Sequence, residues 1–413
     1  MDERFNRPLL LDGATGTNLM AAGMPSGICV ESWILENPDI LTNLQKSFVR
    51  AGSDIIYAPT FSANAAKLRH YGLEQDVDDL NKRLVDLSLE AAATGSNVMV
   101  AGDMSPTGLI MEPFGDTPFL DIMDIYAQQA WALKEAGVDL IVCETMLSLA
   151  ETRAALLGAK QAELPTFVTI TIDENGRTLF GTDAISAMLT LQAMGAAAFG
   201  FNCSGGPEAM LPFLKKAAAL ATVPIIAKPN AGKPHPDDAT KFDLTPDRMA
   251  SLMEKALDMG VTIIGGCCGT TPDHIAALRE LLDRYDFTKV TPEKDDTPTD
   301  TIAANEREVF YLDEDFDLSE PIACSEDMAD DLMDAEDEGC DVISVRVDNY
   351  DDAILLGQNS HMANLPLSIL SDSEEAMEFA LMFCPGRNII DSRSEMDEDT
   401  IRRLADWYGA LIF

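Results

Sequence analysis

Three cysteines carry the most specific chemistry in this chain. Cys203 stands in GFNCSGG and the adjacent pair Cys267 and Cys268 in GGCCGTTPDHI. Three soft sulfur ligands suit zinc, and a zinc site with three protein ligands keeps a fourth position open for a reacting group, whereas a structural site closes with four. Zinc rather than another soft divalent ion is an inference from the ligand set. A lone cysteine is usually a small core residue. Here the pairing and the flanking Gly265, Gly266, Gly269, Gly205 and Gly206 favour ligation, because glycine lets neighbouring residues bend onto one ion. Eight cysteines in 413 residues are too sparse for a disulfide scaffold and read as free thiols, ligands or nucleophiles. Carboxylates and amides recur near the thiols in the same kind of position: Asp12, Asp103, Glu144, Asn202 and Asn230.

That position is the end of a strand. Short apolar runs rich in β-branched residues begin at Pro8, Asp54, Asn97, Asp139, Thr166, Ala196, Pro224 and Val261. Each ends in a turn signal and precedes a helix-length amphipathic or Ala-rich stretch. Continuous rather than alternating apolarity means that both strand faces are covered, as in a parallel sheet. Eight such units in about 290 residues predict an α/β chain built on a closed (β/α)8 TIM barrel, whose chemistry gathers at the C-terminal ends of the strands. An open doubly wound sheet is the alternative, weakened by the absence of G-x-G-x-x-G after the first strand. Cys143 precedes Glu144 within strand four, and alternation sends it away from the mouth, into packing.

The chain changes character near residue 290. Hydrophobic residues make up 46% and charged residues 24% of the whole, ordinary for a globular protein. Residues 291–413, however, hold 33 acidic and 7 basic residues, a net −26 that leaves −15 on the first 290. TPEKDDTPTDT reads as a solvated linker over 291–304. Beyond it, 305–413 reads as a small acidic α/β module, with strand-like runs at Asp341–Val347, Leu365–Ile369, Asn388–Ile390 and Ala410–Phe413, and helices over Met328–Glu338 and Glu374–Phe383. A net charge of −41 repels phosphate backbones and anionic membranes, which argues against nucleic acid and membrane partners. No cationic leader with a long apolar run opens the sequence, so the expectation is a cytoplasmic protein.

DGATGTNL from Asp12, APTFSAN from Ala58, CETM from Cys143, GFNCSGG from Gly200 and GGCCGTTPDHI from Gly265 together resemble the zinc-dependent homocysteine S-methyltransferases. Within that family the likeness is greatest to the homocysteine-binding barrel of cobalamin-dependent methionine synthases, and it runs from about residue 5 to 287. The resemblance implies that Cys203, Cys267 and Cys268 bind zinc and that Asp12 and Glu144 hold the amino group of homocysteine. It implies further that backbone groups of Gly13, Ala14 and Thr15 hold the carboxylate, that Asn202 lines the substrate pocket, and that Asn230 offers an exchangeable oxygen ligand. The acidic module faintly resembles the opening units of a pterin-binding barrel, and at about 120 residues it would be truncated. No D-x-H-x-x-G, the cobalamin-anchoring motif, occurs in the sequence. The resemblance therefore implies methionine formation with the methyl group arriving from a corrinoid or folate-linked donor on a separate protein. The alternatives are a free sulfonium or betaine donor, or a non-catalytic zinc-binding partner of a methyl-transfer complex.

Overall fold

A computed structural model describes residues 3–5, 7–313 and 315–413. Eight parallel strands form one sheet: β1 (Leu9–Leu10), β2 (Ile55–Tyr57), β3 (Met99–Met104), β4 (Leu140–Met146), β5 (Thr166–Ile170), β6 (Ala198–Asn202), β7 (Ile225–Lys228) and, as the eighth, β10 (Ile263–Ile264). β1 pairs with β10 through Leu9↔Ile263 and Leu10↔Ile264, and a bridge between Leu11 and Ile55 joins it to β2. The sheet is thereby closed into a barrel, which removes the open-sheet alternative. Between β7 and β10 the chain adds a hairpin, β8 (Pro234–His235) and β9 (Asp238–Phe242).

Strand alternation divides the apolar residues into two sets. Leu9, Leu11, Ile55, Tyr57, Met99, Ala101, Leu140, Val142, Phe167, Ala198, Ile226 and Ile263 form one cluster, the plug of the barrel. Their neighbours, among them Leu10, Ile56, Val100, Ile141, Cys143, Val168 and Ala227, pack outward in the larger cluster shared with the helices. Cys143 is fully buried in this outer layer. Continuing the inward set by two residues leads from Ala101 to Asp103, from Val142 to Glu144, from Ala198 through Gly200 to Asn202, and from Ile226 to Lys228. The end of the plug is therefore polar.

Residues 291–300, after the barrel, are all exposed or half-buried. Lys294 Nζ donates to the carbonyls of Ala218 and Ala221 at 2.9 and 3.1 Å. The stretch 291–304 ends in a buried strand, β11 (Ile302–Ala304), paired antiparallel with β12 (Val309–Tyr311). The apolar Ile-Ala-Ala at its end supplies the burial that the Pro, Thr and Asp residues before it cannot. The small module then forms a five-stranded parallel sheet in chain order, β13 (Ile322–Ala323), β14 (Ile343–Arg346), β15 (Leu367–Leu370), β16 (Ile389–Ile390) and β17 (Leu411–Ile412). Helices Met328–Asp337, Tyr350–Asn359, Glu374–Phe383 and Glu398–Tyr408 connect the strands.

The module is seated on the barrel. Arg153, on the barrel helix Leu149–Lys160, is buried and donates to the carbonyls of Leu381 and Met382 at the end of a module helix. Lys160 Nζ donates to the Trp407 carbonyl at 2.9 Å and lies 3.8 Å from the centre of the Trp407 ring. No helix among the described residues is long and apolar enough to cross a membrane.

Candidate metal and substrate site

The three sulfurs meet at the mouth of the barrel. Cys203 follows β6, and Cys267 and Cys268 follow β10; the three Sγ atoms lie within 4.8 Å of one another. Cys203 Sγ and Cys268 Sγ are 3.6 Å apart. Cys203 has a φ of +53°, a left-handed backbone that a non-glycine residue seldom adopts and that its surroundings must hold. Thiols this close share charge. Hydrogen bonding from the S–H groups of Cys203 and Cys267 pulls Cys268 down, and hydrogen bonding with Cys267, then Cys268, pushes Cys203 up.

The loop after β10 is held tightly enough to admit little else. A Cβ on Gly266 would sit 2.4 Å from Thr270 Oγ1, and one on Gly269, with φ +79°, would sit 2.1 Å from the Phe242 ring on β9. Thr270 Oγ1 donates to the Cys267 carbonyl at 2.7 Å and accepts from the Ala14 amide at 3.0 Å. The Cys267–Cys268 loop and the Gly13–Thr15 turn are therefore one hydrogen-bonded unit. The Cys267 amide donates to the Pro229 carbonyl at 2.7 Å and the Ala231 amide to the Cys268 carbonyl at 2.9 Å, which brings Asn230 beside the pair. Asn230 Oδ1 is buried and has no protein partner.

Beneath the thiols lies a buried charge cluster. Lys228 Nζ is 2.8 Å from Glu144 Oε1 and 4.0 Å from Asp12 Oδ1, and 4.4 Å from the centre of the Tyr57 ring. Asp12 Oδ2 accepts from the Tyr57 amide at 2.8 Å. Oδ1 of Asp12 and Oδ1 of Asp103 are both buried without a hydrogen-bond partner. Three carboxylates thus surround one ammonium, leaving a deficit of positive charge. Burial pushes Asp12 up to about 7 although Lys228 opposes it. Burial, then the neighbouring Glu144, pushes Asp103 well up, and burial raises Glu144 against the pull of Lys228. Burial alone would discharge Lys228, but Glu144 and Asp12 outweigh it and hold the ammonium well above the ordinary lysine range. A site with unpaired buried carboxylate oxygens accepts a second cation.

The structure brings Asp12, Glu144 and the three thiols together from four strand ends. Asn202 is brought to the same place, yet both ends of its amide are occupied: Nδ2 donates to Thr145 Oγ1 at 2.7 Å, and Oδ1 accepts from the Thr145 amide at 3.1 Å. Thr145 has a φ of +61°, unusual for a β-branched residue, and Asn202 holds it there. The sequence reading missed Lys228, the central cation. Its signal was the unusual lysine directly after the apolar run Ile225–Ala227, two residues before Asn230 and in inward register with Ile226.

A model of the homocysteine S-methyltransferase family matches residues 9–282. Methionine synthase of Mycobacterium leprae (strain TN) is 29% identical over 296 residues, an alignment covering 67% of this chain and 24% of the relative. Methionine synthase of Mycobacterium tuberculosis (strain ATCC 25618 / H37Rv) is 29% identical over 293 residues, with the same coverage of 67% and 24%. The chain thus spans about a quarter of the length of these curated relatives. The crystal structure of the homocysteine methyltransferase MmuM from Escherichia coli, in its metallated form, is similar with a TM-score of 0.57 at 25% identity, covering 67% of this chain and 96% of that one.

Proposed function

The chain belongs to the homocysteine S-methyltransferase family, and on that premise we propose that it forms methionine by moving a methyl group onto the thiol of homocysteine. The observation that carries this reading is the convergence of three thiols within 4.8 Å directly above buried carboxylates with unpartnered oxygens. An α-amino acid bearing a side-chain thiol would satisfy both halves at once.

Cys203, Cys267 and Cys268 would hold zinc, and Asn230 Oδ1 would serve as the exchangeable fourth ligand. The donor set fits: soft sulfurs, one open position and an unpartnered oxygen nearby. Bound zinc would supply Lewis acidity toward the substrate sulfur, since a thiol of pKa ~8.5 is mostly protonated at neutral pH and only its thiolate attacks carbon. The chain's own residues do the rest. Asp12, Glu144 and Asp103 receive the α-ammonium, and Lys228 opposes the burial that raises all three carboxyls. The amides of Gly13, Ala14 and Thr15 face the α-carboxylate, fixed against the metal loop by Thr270. We assign Asn202 to positioning, because its amide is spent on Thr145 beside Glu144. With the amino acid anchored at both charged ends, sulfur and methyl carbon meet in one orientation.

We place the methyl donor outside these 413 residues, as a corrinoid or folate-linked group on a separate protein, and the acidic module as a docking face for it. The chain-order parallel sheet β13 to β17 supports reading residues 305–413, after the linker, as resembling the opening units of a pterin-binding barrel. A second reading, a free sulfonium or betaine donor, is favoured by one observation: the barrel alone matches the E. coli homocysteine methyltransferase over 96% of its length. All eight cysteines are unpaired, which suits the reducing cytoplasm in which we place the protein.

The test is the absorbance of methylcobalamin mixed with zinc-loaded protein and homocysteine. Demethylation that requires both homocysteine and Cys203 is the expected result. Absence of bound metal, or full activity in Cys203→Ser, overturns the proposal. Activity with a sulfonium or betaine donor and no corrinoid selects the second reading. Full zinc loading without homocysteine binding makes the protein a non-catalytic partner.

A further inference from the structure

A cavity of about 390 Å³ lies between the module and the loops that follow β3, β4 and β5. This volume is within the range of small-molecule sites. Five aromatic rings line it: Phe114, Phe119 and Phe180 from the barrel, and Tyr350 and Phe383 from the module. Its lining carries three acidic side chains, Glu112, Glu151 and Glu306, and no lysine or arginine. Phe114 and Phe180 are 68% and 55% exposed at the mouth, more than large apolar side chains usually are unless a surface is used.

The polar groups narrow the ligand. His361 meets Phe114 edge-on at 5.2 Å, and its Nδ1 is buried with no partner. Glu151 Oε1 is held in place by Thr107 N, Thr107 Oγ1 and Tyr126 OH at 2.7, 2.6 and 3.0 Å. Two cations outside the lining, Arg153 and Arg307, attract the Glu306 carboxylate, but the hydrogen bonds they make go to other acceptors. Arg153 donates to the carbonyls of Leu381 and Met382, and Arg307 to Asn364 Oδ1 and the His361 carbonyl. Ring faces present negative potential to a cation, and carboxylates add to it. A free ring nitrogen meanwhile accepts an N–H.

We propose that this cavity is a second ligand site, distinct from the thiol site, for a small aromatic amine in its protonated form. The ring packs among the aromatic side chains, and the ammonium faces Glu306 and His361 Nδ1. Because barrel and module each supply part of the wall, an occupant fastens one to the other.

The test uses 2-phenylethylammonium as the probe, with 2-phenylethanol and 3-phenylpropanoate as neutral and anionic counterparts, titrated calorimetrically into the full chain. The cation is expected to bind at least tenfold more tightly than either counterpart. Binding is expected to weaken at least fivefold in Glu306→Gln, to vanish in Ile354→Trp, which fills the cavity, and to persist in Cys203→Ser. Phe114→Ala, at an exposed ring, provides a variant whose melting is unchanged while affinity falls several-fold. Equal affinity for the three probes, no binding of the cation, or binding unaffected by both Ile354→Trp and Phe114→Ala overturns the proposal. Loss of binding in Cys203→Ser would assign the probe to the thiol site and likewise overturn it.

Discussion

Lys228 and Glu144 form an ion pair at 2.8 Å with side chains only 4% and 9% exposed, two residues beyond the apolar plug on β7 and β4. Removing one partner of such a pair leaves an uncompensated buried charge, which costs about 3–5 kcal/mol. Lys228→Met is expected to lose stability of that order in urea unfolding at pH 7. Since the carboxylates hold the lysine's proton more tightly than water does, the stabilisation is present below the ordinary lysine pKa and is lost as pH rises through the elevated one. Equal stability of Lys228→Met and wild type at pH 7 would contradict this.

Asp12 gives the same direction of change at lower pH. Burial raises it from 3.8 to about 7, so between those values the folded chain holds a proton that the unfolded chain has released. Its contribution is fully present below about pH 4 and declines as pH rises toward 7, with a slope of up to ~1.4 kcal/mol per pH unit. Urea unfolding of metal-free protein from pH 4 to 7.5 is expected to show a shallower decline for Asp12→Asn than for wild type. Parallel profiles would place the proton elsewhere.

The cysteines divide by location. Cys203→Ser is expected to lower zinc content and to reduce homocysteine-dependent activity at least a hundredfold. Cys143→Ala, in the outer helix-facing layer, is expected to keep both and to lose only the ~1 kcal/mol or so of a small core truncation. Zinc analysis of the two purified variants distinguishes them.

Thr270 ties the Cys267 carbonyl to the Ala14 amide. Thr270→Val leaves the Ala14 amide unpaired, a cost of about 1–3 kcal/mol, while the Cys267 carbonyl keeps the Thr270 amide at 3.1 Å. If that turn holds the substrate carboxylate, KM for homocysteine rises roughly five- to thirtyfold with a smaller change in kcat. A fall in kcat alone would place the turn's effect on the metal loop instead.

Arg153 reaches across from the barrel to the end of the module helix Glu374–Phe383. Arg153→Ala is expected to loosen the module while the zinc site stays loaded, which limited proteolysis detects as faster cleavage between residues 291 and 301. Unchanged cleavage would show that Lys160 and the aromatic contacts suffice.

The barrel was legible because each strand is a continuous apolar run with a polar residue where it leaves the core, and all eight runs became barrel strands. The thiols were legible for the same reason. Lys228 was not, because a lysine after an apolar run reads as a solvated strand end until β7 is in register with β6, where Asn202 pairs with Lys228. The hairpin Pro234–Phe242 escaped notice because most of its residues are exposed, with Phe242 against the Gly269 turn, so it carries no apolar period. In the module, the four apolar runs became strands, whereas Ile322–Ala323 and the β11–β12 pair are too short to carry a period. The cavity at the seam was invisible from sequence, since its walls come from segments more than 200 residues apart.

The bond from the Tyr57 amide to Asp12 Oδ2 lies where β1 and β2 share only the Leu11–Ile55 bridge. A side chain of the site thus continues the ladder past the end of the main-chain pairing. The seam of the barrel and the proposed seat of the substrate's ammonium draw on one carboxylate, so the Tyr57 amide is a resident gauge of occupancy: its exchange with solvent hydrogen is expected to record whether Asp12 is engaged from the other side.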